Sequence, residues 1–125
     1  MSEPGPGRSE LTEEISAQLR TPFDSVLTDP TRLRIQAALH GLPETGSIRF
    51  TALAKALQLS DGNLSAHLAV LGEVGYVTST STYTGKRRTR WYSATPLGRQ
   101  AFGEHVRALE LIVETSRRFG PDAGT

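Results

Sequence analysis

Between Ser60 and Ala94 the chain changes its period, and that change limits the folds open to it. From Asp61 to Glu73 the apolar residues recur at helical spacing, so that Leu64, Leu68 and Leu71 share one sector at about 100° per residue. Gly75 stops the run. Tyr76–Tyr83 is then built almost wholly from Thr, Ser, Tyr and Val, Gly85 marks a turn, and Arg88–Ala94 is a second β-prone run holding Trp91 and Tyr92. Two such runs about a glycine-containing tip predict a hairpin directly after a helix. The helix is expected over about 61–74 and the hairpin over about 76–94.

The flanking segments predict helices by their caps. Thr95-Pro96 pairs a capping hydroxyl with a proline at the first helical position, opening a helix over about 96–118 along which Phe102, Val106, Leu109, Ile112 and Val113 repeat at three and four. Asp29-Pro30 gives the same signal for a helix through Leu33, Ala37 and Leu39, ended by His40-Gly41-Leu42-Pro43 with Gly41 suited to a left-handed C-cap. A short extended piece, Ser47–Phe50, precedes a helix that Thr51 can cap and that buries Leu53, Ala54 and Leu57. Leu59-Ser60 is a tight corner, with Ser60 capping the helix at Asp61. Upstream, Thr21-Pro22 opens a short helix through Phe23, Val26 and Leu27. Leu11, Ile15 and Leu19 mark a first helix with Glu13 and Glu14 in its first turn, where the helix dipole favours acids. Residues 1–9, rich in Pro, Gly and charge, are expected to be disordered, and 120–125 to form a flexible tail.

Three helices closed by a two-stranded hairpin make a winged helix-turn-helix. The expected fold class is therefore mainly α with a small β-hairpin (α+β). One domain spans 10–119, with extra helices at both ends. A chain of 125 residues suffices for one such core and not comfortably for two. There is no cysteine, so disulfides, thiolate metal sites and thiol redox sensing are excluded. No apolar run is long enough to span a membrane and the N-terminus has no apolar signal region, which fits a cytoplasmic protein.

The net charge of +1 conceals an uneven distribution. Met1–Thr31 carries six acids and two bases, whereas between Glu73 and Glu104 there is no acid and Lys86, Arg87, Arg88, Arg90 and Arg99 all occur. Such a block is either one polyanion-binding face or a solvated basic loop. The helix before it helps to choose. Opposite its leucines it presents Gly62, Asn63, Ser65, Ala66, Ala69 and Val70, where a solvated helix would carry Lys and Glu. Short side chains are what a helix entering a major groove needs. Asn63 can both donate to and accept from adenine, and Ser65 can reach a base edge or a phosphate. Asp61 is better explained by the helix dipole.

Three segments carry a resemblance to a known family. LSDGNLSAHLAVLGEVGYV, from Leu59 to Val77, resembles the recognition-helix segment of the winged-helix regulators related to the MarR and ArsR families. DPTRLRIQAAL, from Asp29 to Leu39, resembles the helix that opens that domain. YTGKRRTRWYSATPLGRQAF, from Tyr83 to Phe102, is similar to its wing and the helix beyond. The resemblance covers roughly 23–102. It implies sequence-specific binding of double-stranded DNA, usually by a dimer, with repression the commonest outcome, and in many relatives a small-molecule effector.

The resemblance assigns Ser60, Asp61, Gly62, Asn63, Ser65, Ala66 and His67 to the recognition element and Lys86, Arg87, Arg88 and Arg90 to the wing. His67 sits at the edge of the core sector, where a contact to the DNA backbone and a buried structural hydrogen bond are both open. Arg32 and Arg34 are either further phosphate contacts or ordinary surface charges. Arg88 and Arg90 should share one side of their strand. Trp91, on the other, is expected to pack the wing onto the helices. Leu11, Ile15, Leu19, Phe102, Val106, Leu109, Ile112 and Val113 are expected at a homodimer interface; the alternative is that the first helix folds on the last within one chain. Two recognition helices would then meet half-sites roughly 34–36 Å apart. No metal site or cofactor is indicated: His40, His67 and His105 are scattered and the cysteine motif of ArsR-type metal sensors is missing. No phosphate loop or nucleophile elbow suggests an enzyme. The competing reading is a winged-helix protein–protein interaction module, which should expose aromatics or leucines on its recognition face.

Overall fold

The computed structural model describes residues 10–119, so the expected tails at 1–9 and 120–125 lie outside the described residues. Helices α1 (Glu13–Leu19), α2 (Pro30–His40), α3 (Phe50–Leu57), α4 (Asp61–Glu73) and α5 (Pro96–Phe119) are joined by strands β1 (Ile48–Arg49), β2 (Val77–Thr84) and β3 (Arg87–Ala94). The strands form one antiparallel sheet in the order β1-β3-β2. Phe23–His105 make one compact unit, and the described residues before and after it make a second.

In the larger unit the helix starts follow the capping chemistry of the sequence. The Asp29 carboxylate accepts from Arg32 N at 2.9 Å with Pro30 in the first turn, Ser60 Oγ accepts from Asn63 N at 3.1 Å, and Thr95 Oγ1 accepts from Gly98 N at 3.0 Å. Each such cap contributes about 0.5–2 kcal/mol. The core is one cluster fed by every element of the unit. Leu27, Ile35, Leu39, Leu53, Leu64 and Leu71 are fully buried, and Phe50, Leu68, Val77, Tyr92, Ala94 and Ala101 close around them.

The hairpin turns over two residues, Gly85 and Lys86, between the paired Thr84 and Arg87. Gly85 has φ +63°, the left-handed conformation that the first central residue of a type II′ turn requires. Register then sets the faces, because side chains alternate along a strand. Val77, Tyr92 and Ala94 are buried, so Ser79, Ser81, Tyr83, Arg88 and Arg90 continue the core-side face outward. Thr78, Thr80, Thr82, Arg87, Thr89 and Trp91 lie on the other.

Four expectations are corrected. Residues 22–27 form no helix: Ser25–Thr28 is a turn, because the Asp24 carboxylate takes the N–H groups of Val26 (2.8 Å) and Leu27 (3.0 Å) and the next cap follows at once. Gly41 is not left-handed: it caps α2 with φ −72°, its N–H donating to the Ala37 carbonyl at 3.0 Å, and Arg99 donates to the carbonyls of His40 (3.0 Å) and Leu42 (3.2 Å) beside it. The left-handed C-cap is Gln58, at φ 54° after α3. Helix α3 begins at Phe50 with Arg49 as its cap residue, leaving Thr51 already inside it. Trp91 does not pack the wing onto helices. It lies on the outer face, where its Nε1 donates to Thr82 Oγ1 at 2.9 Å and the Arg49 guanidinium stacks over its ring at 5.1 Å. The short extended piece, for its part, joins the sheet, pairing Ile48 with Tyr92 and Arg49 with Trp91.

The smaller unit contains α1 and the part of α5 beyond His105. Thr12 caps α1, and the hydroxyl of Thr115, itself buried, donates to Gln18 Oε1 at 3.1 Å. The alternative reading, with the first helix folded on the last in one chain, therefore has a direct bond to its credit. Arg20 and Glu13 pair at 2.8 Å but are exposed, a geometry of little stabilising value. No described helix is long and apolar enough to cross a membrane.

The packing around Tyr76 leaves no room for a side chain on Gly98. A Cβ on Gly98 would stand 2.1 Å from the Tyr76 carbonyl oxygen and 2.7 Å from Gln36 Nε2. Gly98→Ala should therefore lower stability by at least the about 1–3 kcal/mol of an overpacked core. A urea-unfolding midpoint equal to wild type would refute that packing.

The Tyr76 hydroxyl donates to Asp24 Oδ2 at 2.5 Å, and this bond, with burial and the charges of Asp24 and Glu104 behind it, pushes the phenol up to about 12. Burial raises the Asp24 carboxyl, but the hydroxyl, the N–H groups of Leu27 and Val26 and the nearby His105 more than offset it and hold it below its usual range. Folding stability from Tyr76 is thus complete below pH 10 and lost as pH rises toward about 12. That from Asp24 is complete above the ordinary carboxylate range and lost on acidification. Tyr76→Phe should abolish the alkaline step in a pH series of unfolding midpoints.

Candidate nucleic-acid interface

Helix α4 sets the geometry of the site. With Leu64, Leu68 and Leu71 buried, its outward face is Asp61, Gly62, Asn63, Ala66 and Ala69, all exposed, with Ser65, His67 and Val70 half-buried at its flanks. Ser60 is exposed and spent on capping, so its hydroxyl serves the helix end. Gly62 is informative. A Cβ there would meet nothing within 4 Å, so no packing inside the chain asks for glycine at that position. Glycine in a helix costs roughly 0.5–1 kcal/mol relative to alanine.

His67 has a partner within the unit. Arg32 Nη1 lies 3.4 Å from His67 Nδ1, while Arg32 Nε donates to the Val26 carbonyl at 2.8 Å and Asp29 stands 4.0 Å from the same guanidinium. Arg32 thus ties the 23–28 turn to α4 and is engaged in the fold, whereas Arg34 is exposed.

The wing cations divide in two. Lys86, Arg87 and Arg88 are exposed at and beside the tip, with Arg88 Nε donating to Ser81 Oγ at 2.9 Å. Arg90 turns inward: its guanidinium lies 4.5 Å over the Phe50 ring and Nη1 donates to the Tyr92 hydroxyl at 3.3 Å. Two residues that sequence reasoning passed over stand next to these cations on different sides of the sheet. Tyr83, the cross-strand partner of Arg88, is 67 % exposed beside the tip. Arg49 stacks on Trp91 across the sheet. Nothing local in the sequence marks Arg49, because its neighbour Trp91 is brought to it only by the β1–β3 pairing. The run Thr82-Tyr83-Thr84 before Gly85, by contrast, could have flagged Tyr83 as a tip aromatic.

The expected interface residues divide likewise. Phe102 is engaged within the larger unit, half-buried against the core with its ring 4.6 Å from that of His40. In the smaller unit Leu11, Leu19, Leu109 and Val113 are exposed, Ile15, Val106 and Ile112 half-buried. Among the described residues no group of three or more His, Asp or Glu is placed to hold a metal.

A small helical unit with one small-residue helix face and a cation-bearing hairpin is the architecture of a winged helix that binds nucleic acid. The family model described as "Winged helix DNA-binding domain" matches residues 32–113, and the chain belongs to that family. Solved structures share the fold. The transcriptional regulator homologue from Pyrococcus horikoshii OT3 superposes with a TM-score of 0.65 at 23 % identity, over 82 % of this chain and 96 % of that one. YusO from Bacillus subtilis gives 0.60 at 17 %, over 85 % and 72 %. The zinc-responsive MarR family member ZitR from Lactococcus lactis gives 0.50 at 21 %, over 73 % and 60 %. None of the curated protein sequences compared matches the chain.

Proposed function

We propose that this chain is a transcriptional regulator that binds double-stranded DNA sequence-specifically as a homodimer and acts as a repressor. The observation that carries the reading is the outward face of α4. Gly62, Asn63, Ala66 and Ala69 are exposed, short and uncharged, which suits a helix laid against base edges. Lys86, Arg87 and Arg88, on a hairpin that follows α4 in the same unit, supply the charge that base-reading residues lack. Such cations give affinity and orientation without sequence information. A protein-docking face would instead carry aromatics or leucines, and α4 exposes none.

The homodimer rests on the smaller unit. Val106, Leu109 and Val113 line a groove of about 260 Å³ on α5, and Leu11 is 55 % and Val113 46 % exposed. Apolar side chains gathered in this way on a short unit mark an association surface. Light scattering at micromolar concentration should give twice the chain mass, and a single-chain mass would end the dimer reading.

The DNA reading is tested by fluorescence anisotropy on a selected site and on random duplex, each across salt. Arg87→Ala and Arg88→Ala should each weaken binding to every duplex and reduce the log–log salt slope by about one. Asn63→Ala should cost about 1–3 kcal/mol on the selected site and nothing on random DNA. Equal losses on both duplexes for Asn63→Ala would falsify its base-reading role.

A further inference from the structure

Beyond β1, strand β3 has a free edge, because β1 reaches only Trp91 and Tyr92. Between that edge and the start of α3 lies an open groove of about 510 Å³. Four arginines line it: Arg49, Arg87, Arg88 and Arg90. No acidic residue does. The first-turn N–H groups of α3 have no side-chain acceptor, and Phe50 and Thr51 of that turn line the groove too.

Two of the guanidiniums are fixed by aromatic rings rather than by carboxylates. Arg49 lies over Trp91 at 5.1 Å and Arg90 over Phe50 at 4.5 Å. Stacking orients a guanidinium without neutralising it, so its charge and most of its N–H groups stay available. Four like charges around one groove repel each other, and only a ligand with several negative charges relieves all of them. Planar guanidiniums match phosphate oxygens in pairs.

We propose that this groove is a phosphate-binding channel that holds the sugar–phosphate backbone of bound duplex, with Arg49 as a backbone contact and Trp91 as its positioning residue. The inference rests on the duplex-DNA reading above and extends the contact surface from the wing tip to the root of β1. It names a residue, Arg49, outside both the recognition helix and the hairpin.

Trp91 is the chain's single tryptophan and carries the stacked Arg49 that lines the groove, so its fluorescence reports on the surroundings of that guanidinium. The full chain is titrated with random-sequence duplex and, separately, with inorganic pyrophosphate, following Trp91 emission and the anisotropy of labelled duplex. Duplex should change the emission saturably. Arg49→Ala, with an unchanged melting temperature, should suppress that change, weaken binding about three- to tenfold and lower the salt slope by about one. Arg49→Lys, which keeps the charge, should recover most of the slope.

If Arg87→Ala weakens binding but Arg49→Ala leaves affinity, slope and emission as in wild type, the channel is wrong and the DNA reading stands. If pyrophosphate reproduces the emission change while Arg49→Ala leaves duplex binding intact, the groove serves free phosphates and the backbone assignment fails. If the wild-type chain binds no duplex at low salt, both readings fall together.

Discussion

The larger unit is organised around one peptide group, that of Tyr76. Its N–H donates to the Leu71 carbonyl at 2.9 Å, closing α4, and its carbonyl accepts from Thr95 N at 3.1 Å and Gln36 Nε2 at 3.3 Å. Its hydroxyl reaches Asp24, which in turn shapes the 23–28 turn and receives His105 Nδ1 against its own N–H at 3.1 Å. Gly98 of α5 packs against the same carbonyl without a side chain between. One residue thereby fixes where α4 stops, where the hairpin starts and how α5 leaves it. The angle between α4 and the cation-bearing hairpin depends on this junction. Gln36 is fully buried; its Nε2 has the Tyr76 carbonyl as partner, whereas its Oε1 has none among the described residues.

The parts of the fold that were legible in the sequence are those decided locally. The cap at Asp29-Pro30, the cap at Ser60, the leucine sector of α4 and the glycine tip at Gly85 all act within a few residues, and the elements they predict are present. What was not legible depends on partners far along the chain. Gly41 looks like a left-handed cap, but the chain leaves α2 in a right-handed conformation and Arg99, far along the sequence, binds the carbonyls of His40 and Leu42 at this end. Trp91 looks like an anchor to the helices until strand parity assigns the inner face to Tyr92. Segment 22–27 had the helix signal of a Thr-Pro pair, but Asp24 competes for the same N–H groups and wins a turn. Of the site, the exposed character of Asn63 and Gly62 was readable from the helical period; the inward turn of Arg90 and the stacking of Arg49 on Trp91 were not.

The surface also separates two electrostatic strategies. Where a cation holds the fold together it is spent on carbonyls: Arg99 on His40 and Leu42, Arg32 on Val26. On the sheet, arginines are held instead by hydroxyls and aromatic rings, Arg88 by Ser81, Arg49 by Trp91 and Arg90 by Phe50. A carboxylate partner would cancel the field these residues project, whereas a ring or a hydroxyl orients them and leaves it intact. The absence of acids between Glu73 and Glu104 is the sequence trace of that arrangement.

The two-residue turn at Gly85-Lys86 bears on how such a hairpin can vary between lineages. Side chains alternate faces, so one residue inserted between Arg90 and Tyr92 would invert everything beyond it and carry Arg88 to the side now held by Thr89. Growth at the tip, one residue on each strand, leaves every existing face untouched. Length can therefore drift at the far end in matched steps, while the root is held to its present count. Reach is the freely adjustable property of this appendage, and handedness is the one that is locked.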